Sequence, residues 1–159
     1  MQDEKNIKQA RAAYATLLEM LDERGWHYDR NDDNFTITCS AKGDDLPIDI
    51  RIQVDPDRLL VVLLSQLPYT VPEDKRVDLS LAVSAVNYAI VDGSFDYSVK
   101  DGILLFRMTS SYRESLVGKE LFEYMLFVSC HTVDDYNDKF LMLIKDKMTL
   151  QDLIKFIDE

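Results

Sequence analysis

The chain has 159 residues, of which 47% are hydrophobic, enough for one core and outside the range of disordered sequences. Its 29 acidic residues against 18 basic ones leave a formal net charge of −11, which repels phosphate backbones and anionic headgroups and favours basic or apolar protein partners. Nucleic-acid binding is therefore not expected, and no apolar run approaches the ~18 residues of a membrane-spanning helix.

The charged start Met1-Gln2-Asp3-Glu4-Lys5 leads into an amphipathic pattern, so no signal peptide is expected. Ile7, Ala10, Tyr14, Leu17, Leu18 and Leu21 form one helical stripe, predicting a helix over 4–24 that stops at Gly25. The acidic, Asn-rich stretch 29–34 reads as a loop. Phe35, Ile37 and Cys39 alternate with Thr36 and Thr38, the period of a strand. Ile48, Ile50, Ile52 and Val54 alternate with Asp49, Arg51, Gln53 and Asp55, a second strand with one wet face. After a turn at Asp55-Pro56-Asp57, the stretch 59–67 is a third strand, apolar on both faces and so expected to be central or covered.

Pro72 suits a first helical position, with Glu73 and Asp74 favourable beside the positive end of the dipole. The helix runs through Val77, Leu81, Ala85 and Tyr88 to Gly93. Phe95, Tyr97 and Val99 face one way on a fourth strand, Asp101-Gly102 signals a hairpin turn, and 103–108 returns as a fifth strand. A long helical pattern starts near Glu114 and reaches Leu143, with an early interruption at Gly118 and a break near Val133-Asp134 both open. Thr149-Leu150-Gln151-Asp152 resembles a capping box opening a last helix through Ile157. The order is α-β-β-β-α-β-β-α-α. The expected class is α+β, with helices packed on an antiparallel five-stranded sheet, residues 1–145 forming one domain and 146–159 a C-terminal helical extension.

Catalytic chemistry finds little footing. Cys39 falls on the apolar face of its strand and Cys130 within an aliphatic and aromatic helix, so both read as buried structural thiols in a reducing, cytoplasmic setting. His131 follows Cys130 about 100° round the helix, so the two do not converge. Neither CxxC nor HxxxH spacing occurs, and Asp29, Asp32 and Asp33 lack the ordered spacing of a calcium loop. Five glycines, none at GxGxxG or GxxxxGK spacing, give nucleotide binding no support. No catalytic residue, cofactor or metal ligand is assigned, and the chain is read as a non-enzyme.

The aromatic residues hold more interest. Leu104 and Phe106 point to the sheet face opposite Ile103 and Leu105, and Phe95 and Tyr97 share a face of the preceding strand. They are either core, or part of an apolar surface for a partner or second subunit. Phe95, Tyr97, Leu104 and Phe106 are the candidate partner-binding residues.

The run Asn87–Arg107, with its Asn, Gly-x-Phe, Asp-Gly and Leu-Phe-Arg elements, carries a family resemblance together with the N-terminal helix, the three-strand meander, Glu120 and the segment 130–136. Over residues 5–145 the chain resembles the YbjN-like family, known in general terms as bacterial sensory transduction regulators, whose fold is similar to type III secretion chaperones. The resemblance implies helices on one side of a curved antiparallel sheet and a homodimer. It also implies a non-enzymatic role, regulatory or chaperone-like, holding a partner polypeptide on an apolar sheet or helix surface. The alternative is a small-molecule sensor or unrecognised enzyme with a pocket between sheet and helices. The tail past Lys145 lies outside the resemblance, which points to a relative with the same fold rather than to a secretion chaperone itself.

Overall fold

A computed structural model describes residues 3–159. In chain order it contains α1 (Glu4–Glu23), β1 (Tyr28–Asn31), β2 (Thr36–Lys42), β3 (Pro47–Asp55), β4 (Leu60–Gln66) and a 3-10 turn (Glu73–Lys75) leading into α2 (Arg76–Ala89). β5 (Ser94–Tyr97), β6 (Leu104–Ser111), α3 (Lys119–Ile144) and α4 (Leu150–Asp158) follow. The strands form one antiparallel sheet in the order β1-β2-β3-β4-β6-β5.

The α+β class and antiparallel sheet are as expected, but the sheet has six strands rather than five. The addition is β1, four residues of which the last three come from the stretch 29–34 expected as a loop. Only Tyr28 of the four is even partly buried, so no alternation marks the segment. Its strand character comes from backbone pairing with β2, Tyr28 opposite Cys39 through Asn31 opposite Thr36. Short length and charge are how edge strands avoid further pairing.

α3 also departs from expectation. It begins after Gly118, its N-cap, because Glu114 sits at φ 52 in the left-handed region and cannot continue a right-handed helix. It then runs 26 residues without a break at Val133-Asp134. Val133 is buried there, and the Asp134 carboxylate accepts the Asp44 backbone N–H at 2.8 Å.

One face of the sheet carries the core. Ile37, Ile52, Leu63 and Met108 stand in register across four strands, all buried. α1 lays Tyr14, Leu17 and Leu21 on that face, and α3 adds Phe122, Met125 and Phe140. Full burial of such side chains is worth about 1.5–3 kcal/mol each, so this face holds the fold together.

The α2–β5–β6 joint is built around two small features. The Asn87 side chain donates from Nδ2 to the Phe95 carbonyl (2.9 Å) and accepts the Phe95 N–H on Oδ1 (2.8 Å). It therefore stands in for a neighbouring strand and closes the sheet edge at β5. Gly93 lies at φ 73, and a Cβ there would collide with the Phe106 ring and the Arg107 carbonyl, so glycine alone fits the turn into β5.

Candidate interaction surface

Three of the four residues expected to bind a partner are interior. Phe95 is 2% exposed, and Leu104 and Phe106 are fully buried, because α2 and α3 lie over this end of the sheet. Phe95 meets Phe106 and Phe140 edge-on, each with ring centroids 5.2 Å away, and Tyr136 at 6.1 Å. Such aromatic pairs add about 0.5–1.5 kcal/mol beyond area burial. Tyr97 is half-buried, and its hydroxyl donates to the Arg76 carbonyl at 2.8 Å. In the folded protomer Phe95, Leu104 and Phe106 are core, which corrects their placement on a free surface, and Tyr97 packs half-buried against that core.

The groups screened for chemistry are held in structural roles. Burial, and secondarily the nearby Cys130, pushes the Cys39 thiol up to about 12. Burial also raises the Cys130 thiol. Both therefore stay protonated at neutral pH, where a thiol is a poor nucleophile. The Asp32 carboxylate accepts from Arg30 (2.8 and 2.9 Å) and from the Tyr14 hydroxyl (2.8 Å), which holds its carboxyl below the usual range. Among the described residues, no group of three or more His, Cys, Asp or Glu side chains could hold a metal ion, and no helix is long and apolar enough to cross a membrane. His27 is exposed, as is His131, whose ring stacks on Phe127 at 5.8 Å with planes 7° apart.

The sheet face away from the helices is mixed. Half-buried Leu64 stands between Arg51 and Arg107 in register, and half-buried Leu60, Val62 and Leu105 flank it. A shallow concavity of about 940 Å³ opens here beside β1, with Thr38, Ser40, Asp49 and Gln66 on its floor and rim. Leu60, Val62 and Leu64 form a short apolar row on β4, and Gln53, Arg51, Thr109 and Arg107 border it on the flanking strands.

The outer face of the helical layer is different. On α2, Val77 (70% exposed), Leu81 and Tyr88 (95%) fall within one narrow stripe, and Val91 (94%) follows at the helix end. On α3, Tyr124, Phe127 (69%) and His131 form a second stripe. The Tyr124 hydroxyl donates to the Asp92 carboxylate, joining the two stripes beside Val91. Phe127 and His131 border an open groove of about 460 Å³ whose floor includes Trp26, Ile48 and Leu126. Single exposed apolar residues are ordinary, whereas a connected set marks an interaction surface.

Asp74, Asp78 and Glu120 flank these stripes in sequence, the Asp135 carboxylate lies 3.8 Å from His131, and Lys42 lines the groove, while several neighbouring cations are engaged. Arg24 makes a two-pronged pair with Glu123 at 2.7 and 3.1 Å, Lys119 reaches Glu19 and Glu23, and Lys75 pairs with Asp146. Exposed apolar residues on a chain of net charge −11 complement a partner that is apolar along one side and basic along the other. Nothing in the sequence pattern separated this outward set from core, because its spacing is that of any packed helix.

Residues 13–142 match the family model YbjN, described as "Putative bacterial sensory transduction regulator". No curated protein matches the sequence at a significant level. Among solved structures, YbjN from E. coli is similar over 86% of this chain and 91% of its own, at 16% identity and a TM-score of 0.56. A chain of the ExsC–ExsE complex is similar over 82% of this chain and 92% of its own, at 15% identity and a TM-score of 0.51. A chain of the HopA1–SchA chaperone–effector complex covers 79% and 92% at 14% identity, with a TM-score of 0.49. At these identities the likeness is one of fold.

Proposed function

This chain belongs to the YbjN family, and on that footing we propose that it is a non-catalytic module that binds a protein partner along the outer face of α2 and α3. The observation that carries this reading is the set Val77, Leu81, Tyr88, Val91, Tyr124 and Phe127, all exposed on α2, its C-terminal end and α3, with the Tyr124–Asp92 hydrogen bond linking the two helices. The net charge of −11 favours a basic partner, so the bound segment is amphipathic and basic. The ExsC–ExsE structure, whose fold this chain shares, is itself a complex of two proteins. A homodimer belongs to the same proposal, since pairing of α2 stripes would withdraw Leu81 and Tyr88 from water.

Site-specific photo-crosslinking in the native host tests the reading. A photoreactive residue at Tyr88 or Phe127 is expected to give the same discrete polypeptide adduct, with the crosslinked segment rich in Lys and Arg, and one at Thr109 on the opposite sheet face is expected to give none. Adducts from Thr109 alone, or none from either helical position, would overturn it.

A further inference from the structure

α4 is an unusual element of this fold. It lies beyond residue 142, where the family match ends, whereas α2 and all but the last turn of α3, the walls it packs against, lie inside the match. It has nine residues, below the ~12–15 that an isolated helix needs in water, so it is helical only while docked. Its N-terminal end is well made: the Thr149 hydroxyl accepts the Asp152 N–H at 3.1 Å, and the Asp152 carboxylate accepts the Thr149 N–H at 3.0 Å. Its hold on the body is narrower. Leu153 alone is fully buried, and Leu150, Ile154, Phe156 and Ile157 remain half-exposed.

The groove beneath it is largely apolar, with Asp78 and the Lys75–Asp146 pair on its lining. Phe156 meets Tyr136 edge-on at 5.8 Å, and the Lys139 ammonium sits 4.6 Å from the centre of the Phe156 ring. Beside α4 a crevice of about 200 Å³ runs between α2 and the end of α3, lined by Leu79, Ala82, Leu143 and Ile144, with Leu81 at its rim. Leu81 belongs to the exposed α2 stripe, so the groove under α4 opens directly onto uncovered apolar surface. The connection from α3 is a short exposed turn, with Asp146 at φ 55, a conformation that a non-glycine side chain adopts only at a cost.

We propose that the α2–α3 groove is a docking site for an amphipathic partner helix with a Leu/Ile/Phe face, and that α4 is its displaceable internal occupant. Such a partner replaces α4 contact for contact, with an aromatic side chain over Lys139 and against Tyr136. Affinity then depends on the fraction of molecules in which α4 has left, so the tail sets the threshold for binding. The groove adjoins the α2 stripe at Leu81, and its test needs no partner from the host.

The test uses the full chain and a labelled synthetic peptide of residues 146–159. Leu153→Asp puts a carboxylate where α4 is buried and releases the helix in place. The expected result is a folded variant that binds the peptide in trans at least ~10-fold more tightly than the wild type, whose groove is already filled. A peptide carrying the same Leu153→Asp change should not bind. Hydrogen exchange on the unaltered protein adds a measurement that needs no variant: α4 amides should exchange through a local opening, well before those around Phe140. Equal binding to both proteins, no binding to the folded variant, global unfolding of Leu153→Asp, or α4 protection equal to that of α3 would each overturn the proposal.

Discussion

The β5–β6 hairpin and the outer face of α2–α3 are built from the same residue types and put them to opposite use. In the hairpin, Phe95, Leu104 and Phe106 meet Phe140 and Tyr136 in a filled cluster, while Tyr88, Val91 and Phe127 stand largely in water. The difference is positional: helices cover one sheet face, and among the described residues these α2 and α3 side chains stand on the uncovered side of the helical layer. What it teaches is that apolar density marks neither core nor site until the layer above it is known.

The largest expected effect lies in the hairpin. Phe106→Ala removes a fully buried ring and should cost about 3–5 kcal/mol in denaturant unfolding. Gly93→Ala comes next, since its methyl group would run into the Phe106 ring and the Arg107 carbonyl at φ 73; a loss of about 2 kcal/mol or more is expected from thermal or chemical melts. Asn87→Ala leaves the Phe95 amide and carbonyl without their side-chain partner and reopens the β5 edge, at about 1–3 kcal/mol. The same variant should self-associate with rising concentration, visible by light scattering, as unguarded edges do.

The periodic elements were legible in the sequence: α1 from its stripe, β3 from strict alternation, α4 from the Thr149–Asp152 box. β1 was not, because an edge strand is held by its neighbour's backbone and carries no side-chain signature. The continuity of α3 was not, because Asp134, polar within the helix, is satisfied by an amide of the β2–β3 loop that sequence spacing cannot bring near. The site was least legible. Phe106 and Phe127 look alike in a helical or strand pattern, and only the packing of layers separates them.

The smallest effects are electrostatic. Hydrogen bonds from Arg30 and Tyr14 lower the Asp32 carboxyl, and Arg24 lowers Glu123. A carboxylate with a depressed folded value contributes stability above its unfolded value of about 4, and that contribution disappears as pH falls through the folded value. These two contributions should therefore hold from neutrality to about pH 5 and fade only below it, and Glu123→Gln should soften the acid decline slightly. A decline already complete at pH 6 would contradict this assignment.

Phe127→Asp tests the central comparison most directly, with its unfolding free energy and the adduct formed from a photoreactive residue at Tyr88 read on one preparation. Stability should stay within about 0.5 kcal/mol of the wild type while the Tyr88 adduct disappears, because the ring faces solvent and acts in binding. A loss of stability approaching that of Phe106→Ala, or an adduct that persists unchanged, would contradict the account.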